Sequence, residues 1–202
     1  MSVYRFCKRC FDIFFSLLGI SLLLWLFLII AIAIKCSSKG PVLFKQERVG
    51  KHGKTFKIWK FRSMIVDAEA KGMQITTDGD NRITKVGKFI RKTKIDELPQ
   101  LFNVLSGKMS FVGPRPEVPK YVAMYNDEQL RVLSVKPGIT DLASIEFRNE
   151  NDLLDGDEDP ERKYIEEIMP AKLELNLKYI EKAGFFYDIG LIFKTIAKVI
   201  KE

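Results

Sequence analysis

The feature that most constrains this chain is an uncharged and strongly apolar run of 21 residues from Phe14 to Ile34. As an α-helix this run extends for about 31 Å, which is close to the thickness of the hydrocarbon core of a bilayer. No later stretch is as long without a charge. The sequence therefore predicts one membrane-inserted helix within residues 1–36 and a single domain formed by residues 37–202.

Positive charge on both sides of the apolar run indicates its orientation. Arg5, Lys8 and Arg9 precede it. A denser basic series follows, opposed only by Glu47: Lys35, Lys39, Lys45, Arg48, Lys51, Lys54, Lys57, Lys60 and Arg62. Basic residues beside a membrane segment stay on the cytoplasmic side and suit anionic lipid head groups. We therefore expect a cytoplasmic domain, and the run is too long for the core of a cleaved signal peptide.

All three cysteines, Cys7, Cys10 and Cys36, lie in or beside the predicted membrane helix. The domain is thereby left without a disulfide framework, as expected in a reducing compartment.

The rest of the sequence predicts an α+β domain that is mostly helical. Segments 42–48 and 55–62 flank a glycine-containing turn, and the second alternates apolar with basic residues. They predict a β-hairpin with one apolar and one cationic face. The other predictions are a strand at 109–112, an extended piece at 143–147, a polar loop at 150–161, and helices at 63–71, 84–94, 96–105, 117–134 and 162–182.

The last predicted helix, 185–201, is amphipathic. Its apolar face carries Phe185, Ile189, Ile192, Phe193, Ile196 and Ile200, and lysines occupy the other face. A helix lying in the membrane interface and a helix packed on a core both give this pattern. Both interpretations stay open at this point.

Asp96 and Glu97 form the one acidic point in a strongly basic stretch. In ordinary structure, Asp96 would be a helix N-cap and Glu97 would complement the helix dipole. A helix N-terminus also attracts phosphate. An ionised carboxylate is a nucleophile toward phosphorus, and a second carboxylate offers an oxygen ligand for Mg²⁺. The pair therefore predicts phosphoryl chemistry.

An anionic nucleophile that attacks a diphosphate needs surrounding cations. Lys60, Arg62, Arg91 and Arg115 are the candidates. Arg115 lies between two prolines that stiffen its backbone, so its guanidinium could be held ready for bidentate contact with phosphate. The alternative to phosphate binding for Lys60 and Arg62 is a position on a strand edge that faces solvent or lipid.

The motifs of the chain, and the order in which they occur, resemble those of the bacterial sugar transferase family. Its members are the small monotopic phosphoglycosyl transferases that begin polyprenol-linked glycan assembly. Besides the apolar segment, the resemblance rests on Ser38-Lys39-Gly40-Pro41, Phe56-Lys57-Ile58-Trp59-Lys60-Phe61-Arg62-Ser63-Met64, Asp96-Glu97-Leu98-Pro99-Gln100-Leu101, Gly113-Pro114-Arg115-Pro116 and Lys136-Pro137-Gly138-Ile139-Thr140. It implies transfer of a sugar-1-phosphate from a UDP-sugar to undecaprenyl phosphate, with release of UMP. This is the first membrane step in the assembly of a polysaccharide or glycoprotein glycan.

The resemblance also implies roles for residues. Asp96 would form a covalent phosphosugar–aspartyl intermediate, and Glu97 would assist and hold the Mg²⁺ cofactor. The phosphate-binding residues would be Lys60, Arg62, Arg91, Arg115 and Arg148. The implied partners are the UDP-sugar, undecaprenyl phosphate and membrane lipid, with a homodimer left open. The implied location is the cytoplasmic face of the bacterial inner membrane.

Two segments depart from the pattern of the family. Related chains break the membrane helix at a Ser-Pro pair, so that it dips into one leaflet and returns, and Leu24-Trp25 replace that pair here. We still expect a re-entrant helix, because Arg5, Lys8 and Arg9 favour the cytoplasmic side. Residues 141–147 also differ, although Arg148-Asn149 are retained, so the donor sugar is left open.

Two other classes of function compete. A non-enzymatic membrane adaptor would use the basic hairpin to bind lipid and its helices to recruit partners. A nucleic-acid-binding protein would account for the formal net charge of +7 and for aromatic residues interleaved with basic ones. The basic residues crowd beside the membrane segment, however, and residues 150–161 are acidic. Lipid and phosphate explain this asymmetry better, so we predict no nucleic-acid partner.

Overall fold

The computed structural model describes residues 3–68, 80–147, 150–154 and 157–200. The chain is mostly helical, with two small sheets. The helices are α1 (Val3–Ser37), α2 (Lys85–Lys92), α3 (Gln100–Leu105), α4 (Pro119–Val122), α5 (Asp127–Leu130), α6 (Leu142–Glu146), α7 (Glu150–Leu154), α8 (Pro160–Lys163), α9 (Met169–Lys182) and α10 (Phe185–Ile200). The strands are β1 (Leu43–Val49), β2 (Thr55–Phe61), β3 (Ser110–Val112) and β4 (Gly138–Thr140).

The predicted hairpin is confirmed. β1 and β2 pair in antiparallel register, with Leu43 opposite Phe61. Phe56 and Ile58 are buried in one core cluster and Phe61 in another. Because Phe61 shares a face with Lys57, and Lys60 shares a face with Phe56 and Ile58, the expected division into one apolar and one cationic face is wrong. The strand predicted at 109–112 is β3, and it pairs in parallel with β4.

Two predicted segments near the hairpin differ from the structure. The helix expected at 63–71 is wrong over residues 63–68, because Met64 forms a bridge with Ile83 and the backbone of Ser63 binds that of Thr84. Residues 69–71 lie outside the described part of the chain. The next helix is confirmed as α2, and the side chain of Thr84 caps it by accepting a bond from the backbone of Gly87.

The C-terminal half has more helix than predicted. The prediction of an extended piece at 143–147 is wrong, because these residues belong mostly to α6. Asp141 caps this helix by accepting bonds from the backbone N–H (2.8 Å) and the hydroxyl (2.6 Å) of Ser144. The loop at 150–161 is wrong in part, since it contains α7 and the start of α8. The helices predicted at 117–134 are confirmed as several short helices. The helix predicted at 162–182 is confirmed as a continuous helical segment that includes one π-helical turn, Tyr164–Ile168.

α1 is an unbroken helix that passes through Leu24-Trp25, both of which are exposed. Among the described residues it is the one helix long and apolar enough to cross a membrane. Its buried residues lie on one stripe that faces the domain: Asp12, Ser16, Ile30 and Ile34. The remaining faces expose large apolar side chains: Phe14, Leu17, Leu18, Leu22, Leu24, Trp25, Leu28, Ile29 and Ile32.

Both ends of α1 are attached to the domain. Near its N-terminus, Lys8 donates to the carbonyl of Val112 in β3 (2.8 Å) and pairs with Asp188 of α10. Near its C-terminus, Ile30 and Ile34 form a core cluster with Phe61 and Ile90. The helix therefore lies along the domain instead of projecting from it. The predicted boundary between residues 36 and 37 stays a prediction.

The largest core cluster lies on the other side of the domain and joins the short helices to α9. Its buried members are Val118, Tyr121, Val132, Leu154, Tyr164, Ile168, Met169 and Leu173. α10 buries Asp188 and Leu191 but exposes Phe186, Phe193 and Ile196. This exposed apolar face favours the interfacial interpretation of α10 over the core-facing one.

Candidate active site

Asp96 and Glu97 lie in a short 3₁₀ turn, Ile95–Glu97, that links α2 to α3. Lys94 starts this turn in the left-handed region, with φ of +57°. The helix predicted from Asp96 begins only at Gln100, with Pro99 at its N-cap position. Asp96 is therefore not the cap of α3, and the ordinary structural interpretation of this residue is wrong.

Glu97 is held by two cations from distant parts of the chain. Lys60 of β2 donates to its Oε1 at 3.0 Å. Arg115 donates from Nη1 to Oε2 at 3.2 Å and from Nη2 to Oε1, in a bidentate pair. Burial acts to raise the pKa of Glu97, but the charges of Arg115 and Lys60 outweigh it and hold this pKa well below its usual range. Glu97 is thus a fixed anion that orients both cations.

Asp96 has the opposite environment. Its residue is only 7% exposed, and its Oδ1 is buried without a hydrogen-bond partner. Burial raises the pKa of this carboxyl, and the nearby charge of Lys60 opposes that rise. An unsatisfied, partly desolvated carboxylate next to cations has a free oxygen that can attack an electrophile. The dyad therefore consists of one reactive and one anchored carboxylate.

Arg115 is positioned by a close contact between two backbones. Its loop, Gly113-Pro114-Arg115-Pro116, follows β3, and Gly138 at the start of β4 donates to the carbonyl of Pro114 at 3.0 Å. A Cβ on Gly138 would lie 2.7 Å from the carbonyl carbon of Val112, so only glycine fits there. The two glycine-containing motifs form one support for Arg115.

Two further cations lie near Asp96. The charges of Arg91, on α2, and Lys94 both act to lower the pKa of Asp96. Within the described residues, Arg91 forms no ion pair, and it lines the same groove as the dyad. Its position agrees with the predicted phosphate-binding role, which stays a prediction.

Arg62 is engaged elsewhere. Its Nη2 donates to the carbonyl of Ser38 (2.7 Å) and its Nη1 to the carbonyl of Lys39 (2.8 Å). These bonds attach β2 to the chain that leaves α1. These contacts give Arg62 a structural role, but the residue also lines the groove and its Nε is buried without a hydrogen-bond partner. Phosphate binding by Arg62 stays a prediction. Arg148, the remaining predicted phosphate ligand, lies outside the described residues.

Sequence reasoning missed several residues that support the site. The side-chain amide of Asn103 accepts from the backbone of Trp59 (2.9 Å) and donates to the carbonyl of Lys57 (2.8 Å), which fixes the strand that carries Lys60. Arg48 donates to the carbonyl of Pro116 (3.2 Å) and to Glu117 (3.0 Å). Nothing in the local sequence marks these contacts, because each joins segments far apart in the chain.

The dyad opens into a groove of about 2160 Å³, which is large enough for an extended substrate. Lys60, Arg91, Asp96, Glu97 and Arg115 all line it. Among the described residues no group of three or more His, Cys, Asp or Glu could hold a metal ion. Mg²⁺ needs only one or two carboxylates when substrate phosphates supply other ligands. The orphan Oδ1 of Asp96 fits that need better than Glu97, whose oxygens bind Lys60 and Arg115.

Comparison with known proteins agrees with this geometry. The model of the family described as bacterial sugar transferase matches residues 3–202. The chain is 44% identical, over 95% of its length, to a UDP-glucose:undecaprenyl-phosphate glucose-1-phosphate transferase of Klebsiella pneumoniae. It is 40% identical over 98% of its length to a UDP-N-acetylgalactosamine-undecaprenyl-phosphate N-acetylgalactosaminephosphotransferase of Aeromonas hydrophila. It spans only 39% and 44% of the lengths of these two relatives.

A relative of similar size is the uncharacterized sugar transferase EpsL of Bacillus subtilis (strain 168). The identity is 40% over 96% of the present chain and 87% of the relative. The segment shared with the longer proteins therefore also occurs as most of a short one.

Proposed function

The chain belongs to the bacterial sugar transferase family, and we propose that it is a membrane-bound phosphoglycosyl transferase. It would move a sugar-1-phosphate from a UDP-sugar to undecaprenyl phosphate. The activities of the two relatives support both substrates, because the glucose and the N-acetylgalactosamine transferase each use a uridine diphosphate donor and undecaprenyl phosphate as acceptor. The donor sugar stays open, since these relatives use different sugars.

The observation that carries the proposal is the contrast within the dyad. Asp96 has a buried oxygen without a hydrogen bond, whereas Glu97 binds Lys60 and Arg115. A carboxylate that only stabilised the fold would be expected to have its oxygens satisfied. The free oxygen supports Asp96 as the nucleophile, and the neighbouring cations supply the positive field that an anionic substrate requires.

The reaction would proceed in two displacements. In the first, a carboxylate oxygen of Asp96 bonds to the phosphorus next to the sugar, and the bond from that phosphorus to the bridging oxygen breaks, releasing UMP. In the second, a phosphate oxygen of undecaprenyl phosphate attacks the same phosphorus and expels Asp96 as a carboxylate. Arg115 and Arg91 would bind the phosphate oxygens during both displacements, while Glu97 holds Arg115 and Lys60 in place.

A magnesium ion is part of the proposal. Bound by substrate phosphates and a carboxylate of the dyad, it would neutralise the charge of the diphosphate. A metal ion held by Asp96 would bind the oxygen that does not attack phosphorus, whereas the predicted role of Glu97 would require an oxygen to be shared with Lys60 or Arg115. Removal of divalent ions with a chelator is expected to stop UMP release.

We further propose that α1 enters the membrane from the cytoplasmic side and that both of its ends stay there. The support is its attachment to the domain near both ends, through Lys8 and through Ile30 and Ile34. Its exposed apolar side chains and those of α10 would contact lipid. The catalytic domain would thus lie on the cytoplasmic face of the inner membrane. Whether the protein acts as a homodimer is a question for solution measurement.

The proposal is tested by intact mass spectrometry of the purified chain mixed with a panel of UDP-sugars and Mg²⁺, without lipid acceptor. The wild type should gain the mass of one phosphosugar and release UMP, and Asp96→Asn should do neither. Asp127→Asn, at the start of α5, is the matched control and should keep the adduct. A wild type without adduct or UMP release, under any donor, would favour a membrane adaptor.

If turnover with undecaprenyl phosphate proceeds at full rate in Asp96→Asn, the two-step mechanism is wrong. A direct transfer between donor and acceptor would then replace it.

A further inference from the structure

Asn176, in α9, is one of three described residues of the groove, with Asp96 and Arg62, that have a buried side-chain atom without a hydrogen-bond partner. The residue is 5% exposed, and its Oδ1 is buried without a hydrogen-bond partner. Its amide nitrogen has no bond within the described residues either. A buried amide without partners destabilises a fold, so its presence calls for a ligand that the fold itself does not contain.

The position of Asn176 relates it to the dyad. Lys172, one helical turn earlier on the same face of α9, donates to Glu150 at 2.6 Å. Glu150 lies close enough for its charge to act on Arg115. Lys172 and Asn176 both line the groove. Asn176 and Arg115 therefore line one groove and are linked through Lys172 and Glu150, as an extended donor bound by its diphosphate would require.

The hydrogen-bonding groups of the amide limit the classes of ligand that can pair with it. Its oxygen accepts and its nitrogen donates side by side, and rotation about one torsion exchanges the two. A pyrimidine imide carries a matching N–H and C=O on the same edge, and asparagine pairs with base edges in this way. In the trans amide of an N-acetyl sugar the N–H and C=O point in opposite directions. The groove also has aromatic walls, Tyr125 and Phe147, on which a base can stack.

We propose that Asn176 binds the uracil base of the nucleotide donor through a bidentate hydrogen bond. This inference rests on the proposed function, since it assigns a recognition residue for the same donor. Asn176 is then unsatisfied only while the groove is empty. Burial of the unpartnered amide lowers the stability of the fold, but it holds the amide in place for the base before the donor binds.

The test compares Asn176→Leu with the wild type, as full-length protein in detergent, in two measurements. UMP affinity by calorimetry should fall about tenfold, because one bidentate base contact is lost. The melting temperature without ligand should stay the same or rise, because an orphan polar group is replaced by an apolar one of similar size. Asn176→Asp, which keeps the shape but loses the N–H donor, should also weaken UMP binding.

Gln129→Leu is the matched control, because its amide oxygen accepts from the backbone of Asn126 at the start of α5 and the residue does not line the groove. It should lower the melting temperature and leave UMP affinity unchanged. Unchanged UMP affinity in Asn176→Leu would overturn the proposal, and a raised KM for the UDP-sugar alone would assign the amide to the sugar instead. A large fall in melting temperature for Asn176→Leu would make the residue structural. Failure of the proposed function would appear already in the wild type, as absence of the phosphosugar adduct.

Discussion

Two adjacent carboxylates acquire opposite properties at this site. Burial raises the pKa of Asp96, whereas the charges of Arg115 and Lys60 overcome burial and lower the pKa of Glu97. Environments that separate the pKa values of neighbouring groups are typical of residues with different roles in one reaction. Lys60 connects the two, since it binds Glu97 directly and its charge stabilises the ionised form of Asp96.

This arrangement predicts how activity depends on pH. Asp96 must be ionised to attack, so kcat/KM should fall as the pH drops through its pKa in the free enzyme. Because that pKa is raised, the fall should begin at a higher pH than the ordinary aspartate value of 3.8 would give. Lys60→Met removes a charge that lowers this pKa, and we expect the acid limb of the pH–rate profile to move to still higher pH.

Lys57→Met is the control for this prediction, because Lys57 lies on the same strand but its side chain is exposed on the opposite face. It should leave the position of the acid limb unchanged. An acid limb that does not move in Lys60→Met would contradict the assignment of Asp96 as the group that titrates.

At the scale of elements, the support of Arg115 depends on two strands of three residues each. β3 and β4 pair through the backbone, with Gly113 donating to the carbonyl of Thr140 at 3.1 Å and Ser110 to that of Pro137 at 2.8 Å. Such short strands have little stability alone. The absence of side chains at Gly113 and Gly138 lets the backbones approach, and this approach fixes the loop that carries Arg115.

Gly138→Ala is therefore expected to destabilise the fold by about 1–3 kcal/mol through overpacking and to reduce UMP release by displacing Arg115. Thermal melting and a UMP-release assay measure the two effects. Gly190→Ala, in α10, is the control, since no atom lies within 4 Å of the added Cβ. It should be neutral or stabilise by about 0.5–1 kcal/mol. Equal behaviour of the two variants would contradict the role of the glycine contact.

The errors of secondary-structure prediction also belong to this scale. The sequence predicts a helix at residues 63–71, but the bridge between Met64 and Ile83 holds the chain extended at Met64, and a turn follows at residues 66–67. Conversely, Asp141 and Ser144 cap α6 where apolar residues suggested a strand. The hairpin and α2 were predictable because alternation and a threonine cap act locally. In the other segments long-range pairing or an unrecognised cap decided the outcome.

At the scale of the whole molecule, α1 is the one described helix that is long and apolar enough to cross a membrane, and it also packs as part of the domain. Its buried stripe runs from Asp12 to Ile34, and Asp12 accepts bonds from the side chain of Ser110 (3.0 Å) and the backbone of Phe111 (3.1 Å). A helix that crossed the bilayer and left its N-terminus on the far side would break these contacts. These contacts support the proposal that both ends of α1 lie on the same side of the membrane as the domain.

We predict that a cysteine introduced at Val3, which is 79% exposed, reacts with a membrane-impermeant maleimide only from the cytoplasmic side. The native cysteines, Cys7, Cys10 and Cys36, are free and exposed and must first be replaced by serine. Lys178→Cys, exposed on α9, is the control for cytoplasmic labelling. Labelling of position 3 from the periplasm would rule out the re-entrant arrangement and would establish a span.

The sequence by itself determined the long apolar helix, the hairpin, the family and the dyad, because each depends on residues that are close together or on motifs in a fixed order. Tertiary structure alone decided which carboxylate is anchored. The partners of Glu97 lie 37 and 18 residues away, at Lys60 and Arg115. It also revealed the bonds of Arg62 to the chain after α1 and the unpartnered oxygen of Asn176. Ion pairing and desolvation depend on distance in space, and a linear pattern does not encode that distance.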